Sequence, residues 1–373
     1  MRSTFSLPKD AATRARSTRT GDGLPRRSAI ASDASATLSV ARVPTGRCAP
    51  HGNAPVGSAT SSRACSPKPS ASATCPPTAP SVMPVVKHHI ARPDSGGYGV
   101  PMPTLRHNGA RLFWEAAGPD AAPALLFLHA GIATSAMWDP LWADLQRDFR
   151  VIRYDLRWFG NSPSDDVEYS NRDDAVAVLD AAGVEQAIFI GASYGGAVAI
   201  DTALEFPDRV AGLVTIGSGP GGFPEVEPTR REEELQHSIE QAEEARDWDR
   251  LVELEALSWG VGPTRETADV DPLFLQRLRE LGDANKPLLD GDPRPVPMEP
   301  RAYGRLSEIT VPALFIVGEH DTSAARAQAE HLAEAVTGAS LHVFPGTAHM
   351  PSVEYPQPFL GLLREWLTEQ VAG

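Results

Sequence analysis

At 373 residues with a formal net charge of −14, the chain has room for one large domain or two, and its acidity excludes a general nucleic-acid binder. No apolar run reaches the about 18 residues that a membrane-spanning helix needs, so no membrane span is expected. The three cysteines, Cys48, Cys65 and Cys75, are odd in number and lack zinc spacing, which excludes a disulfide framework and a cysteine metal site.

Charge divides the chain. Residues 1–100 hold 13 Lys and Arg against 4 Asp and Glu, whereas the remainder holds 21 against 44. The first part is rich in Ser, Ala, Pro, Thr and Arg and shows no sustained periodicity. It cannot bury enough apolar surface to offset the entropy of ordering, so residues 1–101 read as a disordered extension. Its acid-poor, Arg- and Ser-rich composition is also that of a transit peptide. A secretory signal is excluded because no apolar core follows Arg26-Arg27 and Asp33 interrupts the one candidate. The reading favoured here is that the working protein starts at Met102, with a cytoplasmic location expected.

From Thr104 onward, short apolar runs alternate with segments of helical period, the signature of an α/β fold around a mostly parallel sheet. Residues 105–107 and 111–115 open it as two strands joined by Asn108-Gly109, a hairpin signal. Buried strands follow at 124–128, 151–154, 187–190, 210–216, 313–317 and 341–344, eight strands in all. Ser170 suits the N-cap of a helix over 171–182 that Gly183 stops, and residues 357–371 form an amphipathic C-terminal helix. Between the strand ending near Ile216 and the one starting near Val311 lie about ninety residues, too many for an ordinary connection. Their helical content, at 230–258 and 273–281, marks 223–306 as a helical lid inserted into a core formed by 102–222 and 307–373.

The chemistry centres on Gly191-Ala192-Ser193-Tyr194-Gly195, where a β-branched run meets a helix-compatible sequence. This is the pattern of a nucleophile elbow. A sharp strand-to-helix turn lifts a serine hydroxyl clear of its neighbours, and glycines two positions either side avoid collision with the adjoining strand and helix. The helix N-terminus also aims the Tyr194 amide at a developing oxyanion. The pattern alone is unspecific, so context must carry it. In a parallel sheet, reacting groups sit at the C-terminal strand ends. There Gly318-Glu319-His320-Asp321 and Gly346-Thr347-Ala348-His349 follow two of the predicted strands. The chain order Ser193, Asp321, His349 is that of nucleophile, acid and base on such a fold. His320 is the rival base, and Asp321 has the competing role of capping the helix that Thr322-Ser323 begins. His331 and His342 read as structural, His129 as a loop organiser, and Asp155 and Arg157 as loop braces. Trp138, Trp158, Trp248 and Trp259 are candidates for an apolar acyl pocket, Trp138, Trp158 and Trp259 foremost.

Taken in order, LHAG at 128–131 with Trp138, RYDLRWFGNS at 153–162, GASYGG at 191–196, VPALFIVGEHD at 311–321 and PGTAHMP at 345–351 resemble the landmarks of the α/β-hydrolase superfamily over about 270 residues. The resemblance implies an α/β-hydrolase fold, an eight-stranded, mostly parallel sheet flanked by helices, with Gly131 as the second oxyanion donor beside Tyr194. One departure stands out: Trp158 occupies a position where relatives commonly carry Gly in a D-x-R-G-x-G pattern. Members that act on haloalkanes or epoxides use Asp at the elbow, so Ser193 implies an ester or lactone substrate cleaved through an acyl-enzyme, without metal or organic cofactor. The RYDLR segment and the lid look most like 3-oxoadipate enol-lactonase-type hydrolases and small carboxylesterases. The alternatives are a carbon–carbon bond hydrolase of the same fold and a small-ligand receptor that keeps the triad. The specific substrate and the oligomeric state are not readable from the residues.

Overall fold

The computed structural model describes residues 103–371, and side chains through residue 370. The expectations for the extension 1–101 and for a start at Met102 lie outside the described residues. In chain order the strands and helices are β1 (Thr104–His107), β2 (Ala110–Ala117), β3 (Ala124–Leu128), α1 (Asp139–Leu145), β4 (Arg150–Tyr154), β5 (Glu168–Tyr169), α2 (Asn171–Ala181), β6 (Ala187–Ala192), α3 (Tyr194–Glu205) and β7 (Val210–Ile216). There follow α4 (Arg230–Ala245), α5 (Trp248–Glu255), α6 (Pro272–Asp283), β8 (Arg294–Pro295), β9 (Ala313–Gly318), α7 (Ser323–Ala335), β10 (Ser340–Phe344), α8 (Pro351–Glu354) and α9 (Pro356–Val371).

Eight strands form one sheet in the order β1-β2-β4-β3-β6-β7-β9-β10. The hairpin β1–β2 and the β2–β4 pair are antiparallel, and every pair from β4 to β10 is parallel. Asn108 and Gly109 both take positive φ, 37° and 78°, as a two-residue hairpin turn requires. Alternate side chains serve opposite faces. Phe127, Ile190, Val214 and Ile316 pack with Leu141 of α1 and with Phe359, Leu363 and Leu367 of α9. Leu126, Phe189, Leu213 and Phe315 pack with Val178 of α2, Ile200 of α3 and Leu332 of α7. Each large apolar side chain buried this way contributes about 1.5–3 kcal/mol, and covering both faces is what lets the central strands be apolar throughout.

Two expectations are corrected. The strand at 341–344 is not buried: β10 is an edge strand, and Leu341 and Val343 are 37% and 47% exposed. The helix expected over 230–258 is broken, because Arg246 turns left-handed (φ 54°) and the Asp247 side chain caps a new helix at the Arg250 amide. Residues 256–261 then continue as a π-helix. The long interval between β7 and β9 is helical, and it touches the sheet side of the chain through a short parallel ladder, β5 with β8. No helix among the described residues is long and apolar enough to cross a membrane.

The loop after β4 is held by a fully buried pair, in which the Arg157 Nε and Nη2 donate to the two Asp174 oxygens at 2.9 and 2.6 Å. Arg157 also donates to the Asn108 and His107 carbonyls of the first hairpin, and its guanidinium lies 4.5 Å over the Tyr169 ring. Burial pushes the Asp174 carboxyl above its ordinary range even though Arg157 opposes the shift. Arg157→Leu should therefore leave an uncompensated buried carboxyl and cost about 3–5 kcal/mol of stability, read as a lower urea midpoint.

Candidate active site

Ser193 ends β6 and begins α3 with φ 50° and ψ −117°, a conformation that L-residues rarely adopt and that costs on the order of 1–3 kcal/mol. Packing holds it there. A Cβ on Gly191 would lie 2.5 Å from the Gly195 carbonyl oxygen, and one on Gly195 would lie 2.5 Å from the Leu128 carbonyl oxygen. The turn thus has no room for a side chain at either position. Gly196 has the same constraint, set by Ser218 at the end of β7. The Ser193 amide donates to the Ile216 carbonyl at 2.7 Å, which ties the elbow to the neighbouring strand.

Asp321 and His349 come from the loops after β9 and β10. The His349 Nδ1 lies 2.8 and 3.0 Å from the two Asp321 carboxylate oxygens, and both residues are buried. With Nδ1 donating to a carboxylate, the lone pair sits on Nε2, which is buried and makes no hydrogen bond. Between the β6 and β9 loops runs the end of β7, where Gly217 has φ 56°. A Cβ there would lie 2.7 Å from His349 Nδ1 and 3.0 Å from an Asp321 oxygen. Its missing side chain leaves the space that the pair occupies. Capping falls to Thr322 instead of Asp321: the Thr322 hydroxyl accepts from the Ala325 amide, while the Asp321 carboxylate takes the Thr322 amide and the imidazole. His320 is partly buried, its side chain 29% exposed, and meets the Thr264 hydroxyl at 2.7 Å, whereas Asp321 pairs with His349.

Gly131 and Tyr194 are neighbours across the elbow, since a Cβ on Gly131 would sit 3.7 Å from the Tyr194 Cβ. The loop carrying Gly131 is braced on both sides. His129, fully buried, accepts the Leu156 amide at Nε2 (2.8 Å), so its Nδ1 carries the proton given to the Ala130 carbonyl (2.8 Å). Burial holds its pKa below the ordinary imidazole value, which suits a neutral brace. Asp155 accepts the amide and hydroxyl of Ser135 and the amide of Asn161. Asn285 of the insertion donates to the Ala133 carbonyl and accepts the Gly160 amide.

A cavity of about 430 Å³ opens beside Gly131 and Tyr194. Of the three tryptophans, Trp259 lines it, with its ring 4.7 Å from the His349 ring and its carbonyl accepting the His349 amide. Trp138 does not line it, because it is buried in the core with its ring 5.1 Å from Phe127. Trp158 does not either. It takes the left-handed conformation (φ 68°) that favours glycine, and its ring covers Gly291, where a Cβ would be 2.3 Å away. Trp248 packs beside the insertion's own small core of Ile239, Ala242, Leu251 and Leu254.

Several participants escaped the sequence reading. Gly217 signals itself only once the strand order is known. Asn171 donates to the Tyr194 hydroxyl at 2.6 Å, and Phe159 lies 6.1 Å from that ring. Arg265, also buried, donates to the Gly260, Val261 and Gly346 carbonyls and to both Glu354 oxygens, clamping the insertion to the His349 loop.

Comparison with known proteins adds the following. The family model described as alpha/beta hydrolase family matches residues 125–362. The chain is similar to a pimeloyl-(acyl-carrier protein) methyl ester esterase of Edwardsiella ictaluri (strain 93-146), 30% identical over 265 residues that cover 68% of this chain and 96% of that protein. It is similar to a 2-hydroxymuconate semialdehyde hydrolase of Pseudomonas sp. (strain CF600), 28% identical over 259 residues, 67% and 88% of the two chains. Among solved structures it is similar to Est816, described as an N-acyl homoserine lactone degrading enzyme, with TM-score 0.56, 25% identity and coverage of 70% and 99%.

The steric reading of the elbow predicts opposite effects for two Gly→Ala changes. Gly195→Ala should destabilise by about 1–3 kcal/mol through overpacking. Gly361→Ala, in an α9 position with nothing within 4 Å, should be neutral or stabilise by up to about 1 kcal/mol. Thermal melts of the two variants beside the parent check both.

Proposed function

This chain belongs to the alpha/beta hydrolase family, and from that premise we propose that it is a serine hydrolase that cleaves a small ester or lactone through an acyl-enzyme. The observation that carries the reading is the Asp321–His349 hydrogen bond, which leaves a buried, unpaired Nε2 at the same C-terminal end of the parallel strands as the strained elbow serine. In this mechanism the Ser193 Oγ attacks the carbonyl carbon while His349 Nε2 takes its proton. Asp321 holds the imidazole in the tautomer that accepts at Nε2 and stabilises the imidazolium once formed. The amides of Tyr194 and Gly131 donate to the oxyanion, with the N-terminus of α3 adding the positive end of its dipole. Collapse of the tetrahedral intermediate expels the alcohol, which takes the proton back from His349. Water then attacks the acyl-enzyme with the same base, releasing the acid and restoring Ser193.

The helical segment 223–306 acts as the lid. Trp259 and Arg265 fasten its inner end to the histidine loop. A second reading, hydrolysis of a carbon–carbon bond, draws its support from the 2-hydroxymuconate semialdehyde hydrolase relative.

Hydrolysis of p-nitrophenyl esters from acetate to decanoate tests the proposal. Ser193→Ala should lower kcat by about a millionfold, to background. Asp321→Asn should lower it by about a thousandfold or more with little change in KM, because the imidazole loses its orienting acceptor. Ester turnover unaffected by Ser193→Ala would exclude Ser193 as nucleophile, and turnover of a vinylogous 1,5-diketone in place of esters would favour the carbon–carbon reading.

A further inference from the structure

The aromatic ring packed against His349 comes from the insertion. Trp259 accepts the His349 amide at its carbonyl (3.1 Å), and its ring centroid lies 4.7 Å from that of the imidazole, with the planes inclined at 40°. Trp259 also lines the cavity, as Gly131 and Tyr194 do.

The backbone that carries this indole is held from several sides. Trp259 lies in the π-helical stretch 256–261, a rare geometry that recurs at functional sites. Carbonyls at a helix end lack intrahelical partners, and here Arg265 supplies them, donating Nη2 to the Gly260 carbonyl at 2.6 Å and Nε to the Val261 carbonyl at 2.9 Å. A Cβ on Gly260 would lie 2.4 Å from the Leu278 Cδ1 of α6, and one on Gly262 (φ 79°) would lie 2.3 Å from the His320 carbonyl oxygen. The stretch is wedged between α6 and the loop that carries Asp321.

In the serine-hydrolase reading, His349 becomes an imidazolium in both half-reactions, as it takes a proton from Ser193 and then from water. The Asp321 carboxylate faces Nδ1, while the buried Nε2 has no hydrogen-bond partner. The other charged or titratable groups of the adjoining loops are engaged elsewhere: Glu319 with the Gly346 amide, His320 with the Thr264 hydroxyl, and Arg265 with Glu354. An indole face carries negative charge density and attracts a cation within about 6 Å of the ring centroid, more strongly where water is excluded. The imidazole meets both conditions, being 4.7 Å away in a residue only 4% exposed.

We propose that Trp259 is a positioning residue that acts through His349, its indole favouring the protonated imidazole over the neutral one. The insertion thereby tunes the strength of the base as well as lining the cavity. The proposal rests on the serine-hydrolase reading of the same site.

The test compares the full chain with its Trp259→Phe and Trp259→Leu variants on p-nitrophenyl butyrate across pH, with far-UV circular dichroism checking each fold. Trp259→Leu should lower kcat by about tenfold and leave KM within about threefold, because the lost interaction is made in the transition state. The acid limb of kcat/KM, where the base takes up a proton, should move to lower pH by up to about one unit, since the imidazole without the indole is protonated less readily. Trp259→Phe, which keeps a weaker ring, should fall between parent and Trp259→Leu in both respects. Tryptophan fluorescence of the parent should drop through the pH range of that limb, because an imidazolium quenches an adjacent indole, and Trp259→Phe should lack the step. A raised KM with unchanged kcat in Trp259→Leu assigns Trp259 to the cavity wall alone and overturns the proposal. An acid limb that stays in place or rises overturns it too, as does a fluorescence step that is absent from the parent or kept by Trp259→Phe. Should Trp259→Leu fail to fold, Trp259→Phe and the fluorescence step decide. Parent hydrolysis that is absent, or that Ser193→Ala leaves intact, removes the serine-hydrolase reading and this role with it.

Discussion

The hydrogen bond between Asp321 and His349 has to cross the end of β7, and it exists because Gly217 has no side chain there. Everything else in the site is arranged around that crossing. Strand order places β6, β7, β9 and β10 side by side, so Ser193, Gly217, Asp321 and His349 emerge from consecutive strand ends. Backbone hydrogen bonds then lock each loop to its neighbour: Ser193 to Ile216, Gly217 to Ile316, and Glu319 to Phe344. The geometry of the three candidate catalytic residues is thereby inherited from the sheet, whose apolar faces are the stable part of the molecule.

The loops around Gly131 are held for a different reason. Its loops bury polar groups, and burial without partners is costly, so each group is satisfied by another loop. His129 joins the β3 loop to the β4 loop, Asp155 joins the β4 loop to Ser135, and Asn285 brings in the insertion. Donors fixed this way need little reorganisation when charge develops, which is the condition under which amide dipoles stabilise an oxyanion most. Trp158 reveals the strain within this frame. Its left-handed backbone is a position for glycine, and the contact of its ring with Gly291 offsets part of that cost.

The insertion has two ends with different tasks. At the inner end, Trp259 and Arg265 bind it to the His349 loop, through the His349 amide and the buried Arg265–Glu354 pair. The π-helical stretch at 256–261 is where the helix widens to bring that carbonyl and that ring to His349. At the outer end, α4 turns glutamates toward the cavity.

Local chemistry was enough to read the sheet strands, the Asn108-Gly109 hairpin and the elbow, because periodicity, turn residues and paired glycines act over a few positions. The order Ser193, Asp321, His349 was legible too, since strand ends can be located before strand neighbours are known. Trp138 and Trp158 were not: an indole's destination depends on which element lies above it, and the core and Gly291 claimed these two. The break at Arg246 was equally hidden, as nothing in residues 230–258 forbids one continuous helix and only the packing of α4 against α5, through Ile239, Ala242, Leu251 and Leu254, requires two. Gly217, Asn171 and Arg265 owe their places to contacts between residues far apart in the chain. Such contacts arise from packing, and a linear pattern carries the means to fold but not the list of neighbours that folding produces.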